Sequence, residues 1–233
     1  MNSTNKTARV AGALYLLNGV TGYFSIMYVP STLIVSGNTA ATANNILAHE
    51  MLFRVSIVSE LICAADFIFL LRALYRLLNG VNKTHASLML TLGLVSLPIM
   101  FLNVLNEIAA LALFRGADFL SVFEKPRLDA LAMLFLHLHG QGIAVAEIFW
   151  GLYFFPFGVL VFKSGFLPRI LGVLLIAACF GYLADSLTWL LLPSYGDLVN
   201  RFARILMGAG ELSIMAWLLI KGAKVRTLAV AAA

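Results

Sequence analysis

Charged residues are scarce in this sequence. Asp, Glu, Lys and Arg make up 12% of its 233 residues, whereas hydrophobic residues make up 61%. An average soluble domain carries about 25% charged residues. The shortage excludes a soluble globular fold, and the outer surface of this protein must face something other than water.

Cysteine is also rare, and the motifs of common cofactors are missing. The two cysteines, Cys63 and Cys179, lie in apolar runs and form no CxxC or CxxCH pattern. A disulfide scaffold, a zinc ribbon and an attached c-type haem are therefore unsupported. The sequence also lacks a glycine-rich phosphate loop. We expect no cofactor.

The formal net charge of +5 does not indicate a nucleic-acid partner. Such a partner needs clustered basic residues with exposed aromatic residues among them, and the sequence has no such cluster. The basic residues stand at the ends of apolar runs instead, where they are typical of a protein oriented in a lipid bilayer. The bilayer is the expected partner.

Several apolar runs exceed the roughly 18 residues that mark a transmembrane helix. Turn-forming residues separate these runs and leave only two long loops, 36–48 and 115–128. We predict an all-α membrane protein, a bundle of six transmembrane helices in a single polytopic domain of residues 1–233. The predicted spans are 10–35, 51–79, 86–114, 129–162, 168–193 and 201–222.

The distribution of Lys and Arg predicts the orientation of these spans. If the N-terminus is cytoplasmic, ten of the basic residues fall on that side and six on the other. Cytoplasmic loops carry the excess of basic residues in membrane proteins, so both termini are predicted to be cytoplasmic. The ten are Lys6, Arg9, Arg72, Arg76, Lys83, Lys163, Arg169, Lys221, Lys224 and Arg226.

Polar residues within the spans are the main functional signal. A charge at the centre of a transmembrane helix costs about 2.5–3.5 kcal/mol on insertion scales, so such residues usually face the bundle interior or a wet cavity. Depths calculated at about 1.5 Å per residue place several of them in one layer of the outer half of the bilayer. We predict an acidic pocket that opens to the extracytoplasmic side. Its predicted ligand-binding residues are Glu60, Asn103, Glu107, His139, Asp185, Arg204 and Glu211.

Two histidines stand in the apolar stretch FLHLHGQGIAVAE, residues 135–147. His137 and His139 lie about 200° apart around a helix, so they cannot bind one metal ion together without distortion. The stretch alone is therefore no HExxH-type site. No metal is favoured. If a metal is bound, its ligands are expected among His137, His139, Glu107 and Asp185, with Glu60 as a further acid.

The segment KSGFLPRILGVLLIAACFGYLADSL, residues 163–187, resembles the bacterial membrane proteins grouped as domain of unknown function 4386. The opening ARVAGALYLLNGVTGYFS and the closing ELSIMAWLLIKGAK are similar to that family too. Ser164, Pro168, Arg169 and Gly172 carry most of the signal. The resemblance implies a bacterial inner-membrane protein with six or seven helices, and it transfers no catalytic residue to this chain.

Three functions remain open. The first, which we favour, is binding or transport of a small amphipathic or cationic molecule, because the acids in the spans outnumber the bases there. A chain of 233 residues is small for a carrier, and a homo-oligomer would supply the missing size. The second is an intramembrane metal-dependent hydrolase of a lipid-like substrate. The third is a structural subunit of a membrane complex. The sequence leaves open whether any reaction is catalysed.

Overall fold

The computed structural model describes residues 3–223, and all regular structure within them is helical. The predicted all-α fold class is therefore confirmed. The helices are α1 (Ser3–Gly22), α2 (Val29–Leu33), α3 (Thr39–Ala48), α4 (Glu50–Leu78), α5 (Lys83–Arg115), α6 (Lys125–Lys163), α7 (Arg169–Leu191) and α8 (Gly196–Ile220). Lys224 and Arg226, which enter the predicted charge asymmetry, lie outside the described residues.

Within residues 3–223, five helical stretches are long and apolar enough to cross a membrane, as in a multi-pass membrane protein. These stretches are Ser3–Leu33, Lys83–Arg115, Lys125–Lys163, Arg169–Leu191 and Pro193–Ile220. Each coincides with a predicted span, although the first and last helices begin several residues earlier than predicted. The added residues at the start of the first helix, residues 3–9, are mostly polar, and they continue the helix because each further turn keeps the main-chain groups hydrogen-bonded.

The predicted span 51–79 corresponds to α4, which is not among those five stretches. Its charges explain the difference. Charged residues recur every six positions along α4, so any window of 18 residues contains at least three of them. Arg54, Glu60, Asp66 and Arg72 form this repeat, and Glu50 and Arg76 add a charge near each end of the helix.

The connection 36–48, predicted as a loop, folds largely as helix α3. The Asn38 side chain caps this helix by accepting a hydrogen bond from the Ala41 main-chain N–H at 3.0 Å. Asparagine is among the preferred N-cap residues, and the alanines that follow favour a helix. Asn38 is recognisable as an N-cap residue in the sequence, but the polar composition of the segment favoured the prediction of a loop.

The described residues pack as two compact units. The first comprises residues 3–16, 68–96 and 147–223, and the second comprises Leu17–Phe67 and Leu97–Ala146. In the first unit α6 and α7 approach most closely at Gly158 and Gly172. A Cβ atom added to either glycine would lie 2.6–2.7 Å from the main-chain oxygen of the other. Small residues of this kind allow membrane helices to pack backbone to backbone.

The second unit is built around an apolar core that joins α2, α3, α4, α5 and α6. Its buried members include Leu33, Ile46, Phe53, Leu111, Phe114 and Leu136. A π-helical segment, Tyr23–Tyr28, lies between α1 and α2 in the same unit. The main-chain oxygen of Ser25 in this segment accepts a hydrogen bond from the Ser56 hydroxyl of α4 at 3.3 Å. This bond helps to position α4 one turn before Glu60.

Candidate metal centre

Three helices of the second unit bring two carboxyl groups and an imidazole together. Glu60 is on α4, Glu107 on α5 and His139 on α6. The three residues are buried, with exposures of 0%, 2% and 8%. Polar groups at such burial need partners in the protein or in a ligand, because burying them without a hydrogen bond is costly.

The Nε2 atom of His139 faces both carboxyl groups. It lies 3.2 and 3.1 Å from the two Glu60 oxygens and 3.9 Å from Oε2 of Glu107. That Glu107 oxygen is fully buried and has no hydrogen-bond partner in the described part of the chain. One ligand atom from each of the three side chains lies within 4.8 Å of the other two. The cluster therefore surrounds one point with three ligand atoms.

The charges of this cluster do not balance. Two carboxylates and one imidazolium leave a formal charge of −1, and a neutral imidazole leaves −2. Among the described residues, no lysine or arginine forms an ion pair with any of the three. Since uncompensated charge is expensive in an apolar environment, the cluster must hold protons or bind a cation.

Two asparagines on α5 support the histidine. Asn103 donates a hydrogen bond from Nδ2 to the main-chain oxygen of His139 at 2.9 Å, and Asn106 donates to Oδ1 of Asn103 at 3.0 Å. Asn103 and Glu107 are four residues apart, so they share one face of α5. This face turns inward, whereas Leu102 and Leu105 on the same helix are exposed apolar residues.

Gly142 makes room for this support. A Cβ atom at position 142 would lie 2.0 Å from Oδ1 of Asn103. A Cβ atom at Gly140, two residues earlier on α6, would meet no atom within 4 Å. The two glycines therefore differ sharply in their tolerance of a side chain.

The Gly142→Ala variant should be less stable than Gly140→Ala. The new methyl group displaces the Asn103 amide and breaks its bond to His139, which costs on the order of 1 kcal/mol. Both variants gain the same helix propensity from alanine, so Gly140→Ala is a matched control. Unfolding midpoints in detergent measure the difference, and equal midpoints would contradict the contact.

The two histidines have different surroundings, in agreement with their predicted separation around α6. His139 is buried in the cluster, whereas His137 is exposed. His137 is not part of the three-residue group. His139 pairs with acids of other helices. The sequence analysis expected such a pairing if any metal site included a histidine of this stretch.

The remaining predicted ligand-binding residues, Asp185, Arg204 and Glu211, lie in the first unit. Asp185 accepts a hydrogen bond from Nδ2 of Asn200 at 2.8 Å, and the Tyr182 hydroxyl donates to Glu211. Their role in binding a ligand remains a prediction.

The predicted ligand-binding set leaves out four residues that support the predicted acids and histidine, although Asn106 is a polar residue within a span and Gly142 indicates a close approach of a neighbouring helix. They are Asn106, Gly142, Tyr182 and Asn200. Spacing was the available signal for three of them, because Asn106 and Gly142 stand three residues after Asn103 and His139, and Tyr182 stands three residues before Asp185. Nothing in the sequence pairs Asn200 with Asp185, which lies on another helix.

Comparison with known proteins gives a family for nearly the whole chain. Residues 10–222 match the family described as Domain of unknown function (DUF4386). An uncharacterized protein of Archaeoglobus fulgidus is 38% identical over 77 residues, which are 33% of this chain and 44% of that protein. The match thus spans less than half the length of that relative. No solved structure matches the chain.

Proposed function

The chain belongs to that family, and we propose that it is a membrane protein that binds a divalent transition-metal ion through Glu60, Glu107 and His139. The observation that carries the proposal is the convergence of three buried ligand atoms with an unpartnered carboxylate oxygen. A cation at this point neutralises the excess negative charge. The proposal departs from the sequence analysis, which favoured a small amphipathic or cationic molecule and no metal.

The distances fit a metal after small side-chain movements. Two ligands at about 2.0–2.2 Å from a tetrahedral metal are separated by roughly 3.4 Å. The His139 nitrogen lies 3.1 Å from Oε2 of Glu60 and 3.9 Å from Oε2 of Glu107, one distance on each side of that value. In the bound state the metal takes the place of the proton that Nε2 shares with Glu60.

The ligand types favour a first-row transition metal such as Zn²⁺ or Mn²⁺. Imidazole nitrogen suits Zn, Cu, Fe and Ni, and carboxylate oxygen suits Mn and the alkaline-earth ions. Ca²⁺ prefers six to eight oxygen ligands, and Mg²⁺ needs octahedral oxygen coordination. Two carboxyl groups and one imidazole supply neither.

Metal content of the detergent-purified full chain tests the proposal. After incubation with Zn²⁺ or Mn²⁺ and removal of free ions, wild type should retain about one ion per chain by elemental analysis. His139→Ala should lose it, because the only nitrogen ligand is removed. His137→Ala should keep it, since His137 is exposed outside the cluster. Absence of stoichiometric metal from wild type, or equal loss in both variants, would refute the proposal.

We also propose that α4 is a sixth transmembrane span. The protein would then lie in the cytoplasmic membrane with both termini in the cytoplasm. Glu60 and Asp66 are buried, whereas Val58 and Phe69 on the same helix are exposed. The face of α4 that would meet lipid is thus apolar. A membrane-impermeant maleimide should label Ser36→Cys on intact cells and Gly80→Cys only after permeabilisation, and the reverse pattern would invert this topology.

A second candidate function uses the same metal. Three protein ligands leave the fourth position of a tetrahedral ion open, as in catalytic zinc sites. A water molecule activated there would make the protein a hydrolase of a lipid-like substrate. Metal-dependent fatty-acid release from phospholipid micelles would favour this candidate, whereas metal flux into proteoliposomes without such release would favour transport.

A further inference from the structure

The first unit contains a second group of buried acids, on α6, α7 and α8. Asp185 on α7 is 2% exposed, and α8 presents Arg204 and Glu211 seven residues apart on nearly the same face. Glu147 on α6 interacts electrostatically with all three. None of these residues belongs to the candidate metal centre.

Each hydrogen bond in this group leaves acceptor capacity unused. Asn200 donates to Oδ2 of Asp185 at 2.8 Å, and Tyr182 donates to Oε1 of Glu211. The other Asp185 oxygen, Oδ1, is fully buried and, within residues 3–223, accepts no hydrogen bond from an N–H group or a hydroxyl group. The remaining polar partner of the Asp185 carboxyl is the carboxyl group of Glu147. A carboxylate oxygen accepts hydrogen bonds strongly, so this atom is a ready partner for a cationic N–H group.

The charge of the group also calls for a cation. Three ionised carboxylates beside a single guanidinium would leave a formal charge of −2, and the proton held in the hydrogen bond between Glu147 and Asp185 reduces it to −1. Arg204 is itself exposed, so its charge compensates the buried acids only in part. Removing further charge requires protons or a positively charged ligand.

The geometry favours an organic cation over a bare metal ion. Within residues 3–223, these acids do not bring three ligand atoms within 4.8 Å of one another, as the candidate metal centre does. The carboxyl oxygens of this group are therefore too far apart to bind one metal ion together. An ammonium group with several N–H donors and a carbon chain spans such distances.

Space and aromatic surface are available beside the acids. Gly208 lies between Arg204 and Glu211 on α8, and a Cβ atom there would meet nothing within 4 Å. The Tyr182 ring, which carries the hydroxyl bound to Glu211, packs edge-on against Trp150 at 6.2 Å and stacks on Phe154 at 5.5 Å. Aromatic rings contact the carbon part of an amine favourably and attract its charge.

We propose that this group binds the ammonium end of a small alkylamine, with Asp185 Oδ1 as its hydrogen-bond acceptor, Glu147 and Glu211 as countercharges and Gly208 as the opening for its carbon chain. The site adds a second ligand class to the proposed function and uses none of the metal ligands.

Calorimetric titration of the detergent-purified full chain with n-pentylammonium tests the proposal, with 1-pentanol as a neutral probe of similar size. Wild type should bind the ammonium saturably and the alcohol at least about tenfold more weakly, because a hydrogen bond to a charged group contributes about 1.5–3 kcal/mol. Asp185→Asn should weaken ammonium binding by a similar factor. Gly208→Leu, which fills the opening, should abolish it.

Two controls separate this site from other effects. Asp197→Asn removes an exposed acid from the first turn of α8 and should leave the affinity for n-pentylammonium unchanged. Glu60→Gln changes the candidate metal centre and should also leave the affinity for n-pentylammonium unchanged. The outcome of the metal experiment therefore does not decide the outcome of this one. Equal binding of ammonium and alcohol, or unchanged affinity in both Asp185→Asn and Gly208→Leu, would overturn the assignment. If wild type did not bind n-pentylammonium, protons alone would neutralise the acids of this group, and that result would overturn the assignment as well.

Discussion

The Glu107→Gln variant should bind Zn²⁺ or Mn²⁺ more than about 100-fold more weakly than wild type. Mutating groups that merely orient a metal ligand typically weakens binding 10–100-fold, and removal of a charged ligand should exceed that. Glutamine has the size of glutamate, so folding should survive. The substitution removes the buried oxygen that lacks a partner and one negative charge beside Glu60. Competition titration with a metal-binding dye measures the affinity.

The matched control for this experiment is Glu50→Gln. Glu50 pairs with Arg54 and Arg115 near the ends of α4 and α5 and is partly exposed. Its replacement removes the same charge from the chain without touching the cluster, so metal affinity should change by less than about threefold. If both variants lost a similar amount of metal affinity, the effect of Glu107→Gln would come from the overall charge of the chain. That result would contradict the role of Glu107 as a ligand.

Stability in the absence of metal should respond in opposite directions to single and triple apolar replacements. His139→Leu should lower the free energy of unfolding by about 3–5 kcal/mol, because it leaves buried acids without their partner. The combined change of Glu60, Glu107 and His139 to leucine should match or exceed wild type by about 1–4 kcal/mol, since no buried charge remains. Unfolding titrations in chelator-treated detergent samples measure both values.

This comparison distinguishes a cluster that binds a ligand from a cluster that only stabilises helix packing. If the cluster exists only to hold α4, α5 and α6 together, the triple variant should be less stable than wild type and metal should make no difference. A triple variant that is stable, folded and unable to bind metal would show that the three polar side chains are retained for binding. The structural-subunit hypothesis would then lose its main support in this unit.

Hydropathy was sufficient to locate the helices because a bilayer requires long apolar segments with satisfied backbones. Helix α5 (Lys83–Arg115), for example, is the predicted span 86–114 with three residues added at its start and one at its end. Helix α4 was also located, although its regularly spaced charges weaken its hydropathic signal. Helix α3 was missed because a short, polar, alanine-containing segment has no such signal and depends on its Asn38 cap.

The residues of the candidate centre were identifiable one by one. Glu60, Glu107 and His139 each stood out because a charged or polar side chain within an apolar run is expensive unless it has a partner. The preference against a metal rested on the two histidines of α6, which point to different sides of that helix. The alternative, in which one histidine combines with acids of other helices, was stated, but no local pattern shows that Glu60, Glu107 and His139 converge.

The sequence alone determined the helical class, the approximate spans and the list of polar residues that need partners, since these depend on the local cost of placing each residue in lipid. Only the tertiary structure decided which of those residues meet. It joined Glu60 to His139, 79 positions apart, and placed Asp185 beside Asn200. Side-chain contacts between helices depend on rotation and packing of whole helices, which glycines such as Gly142 permit and which no local pattern specifies.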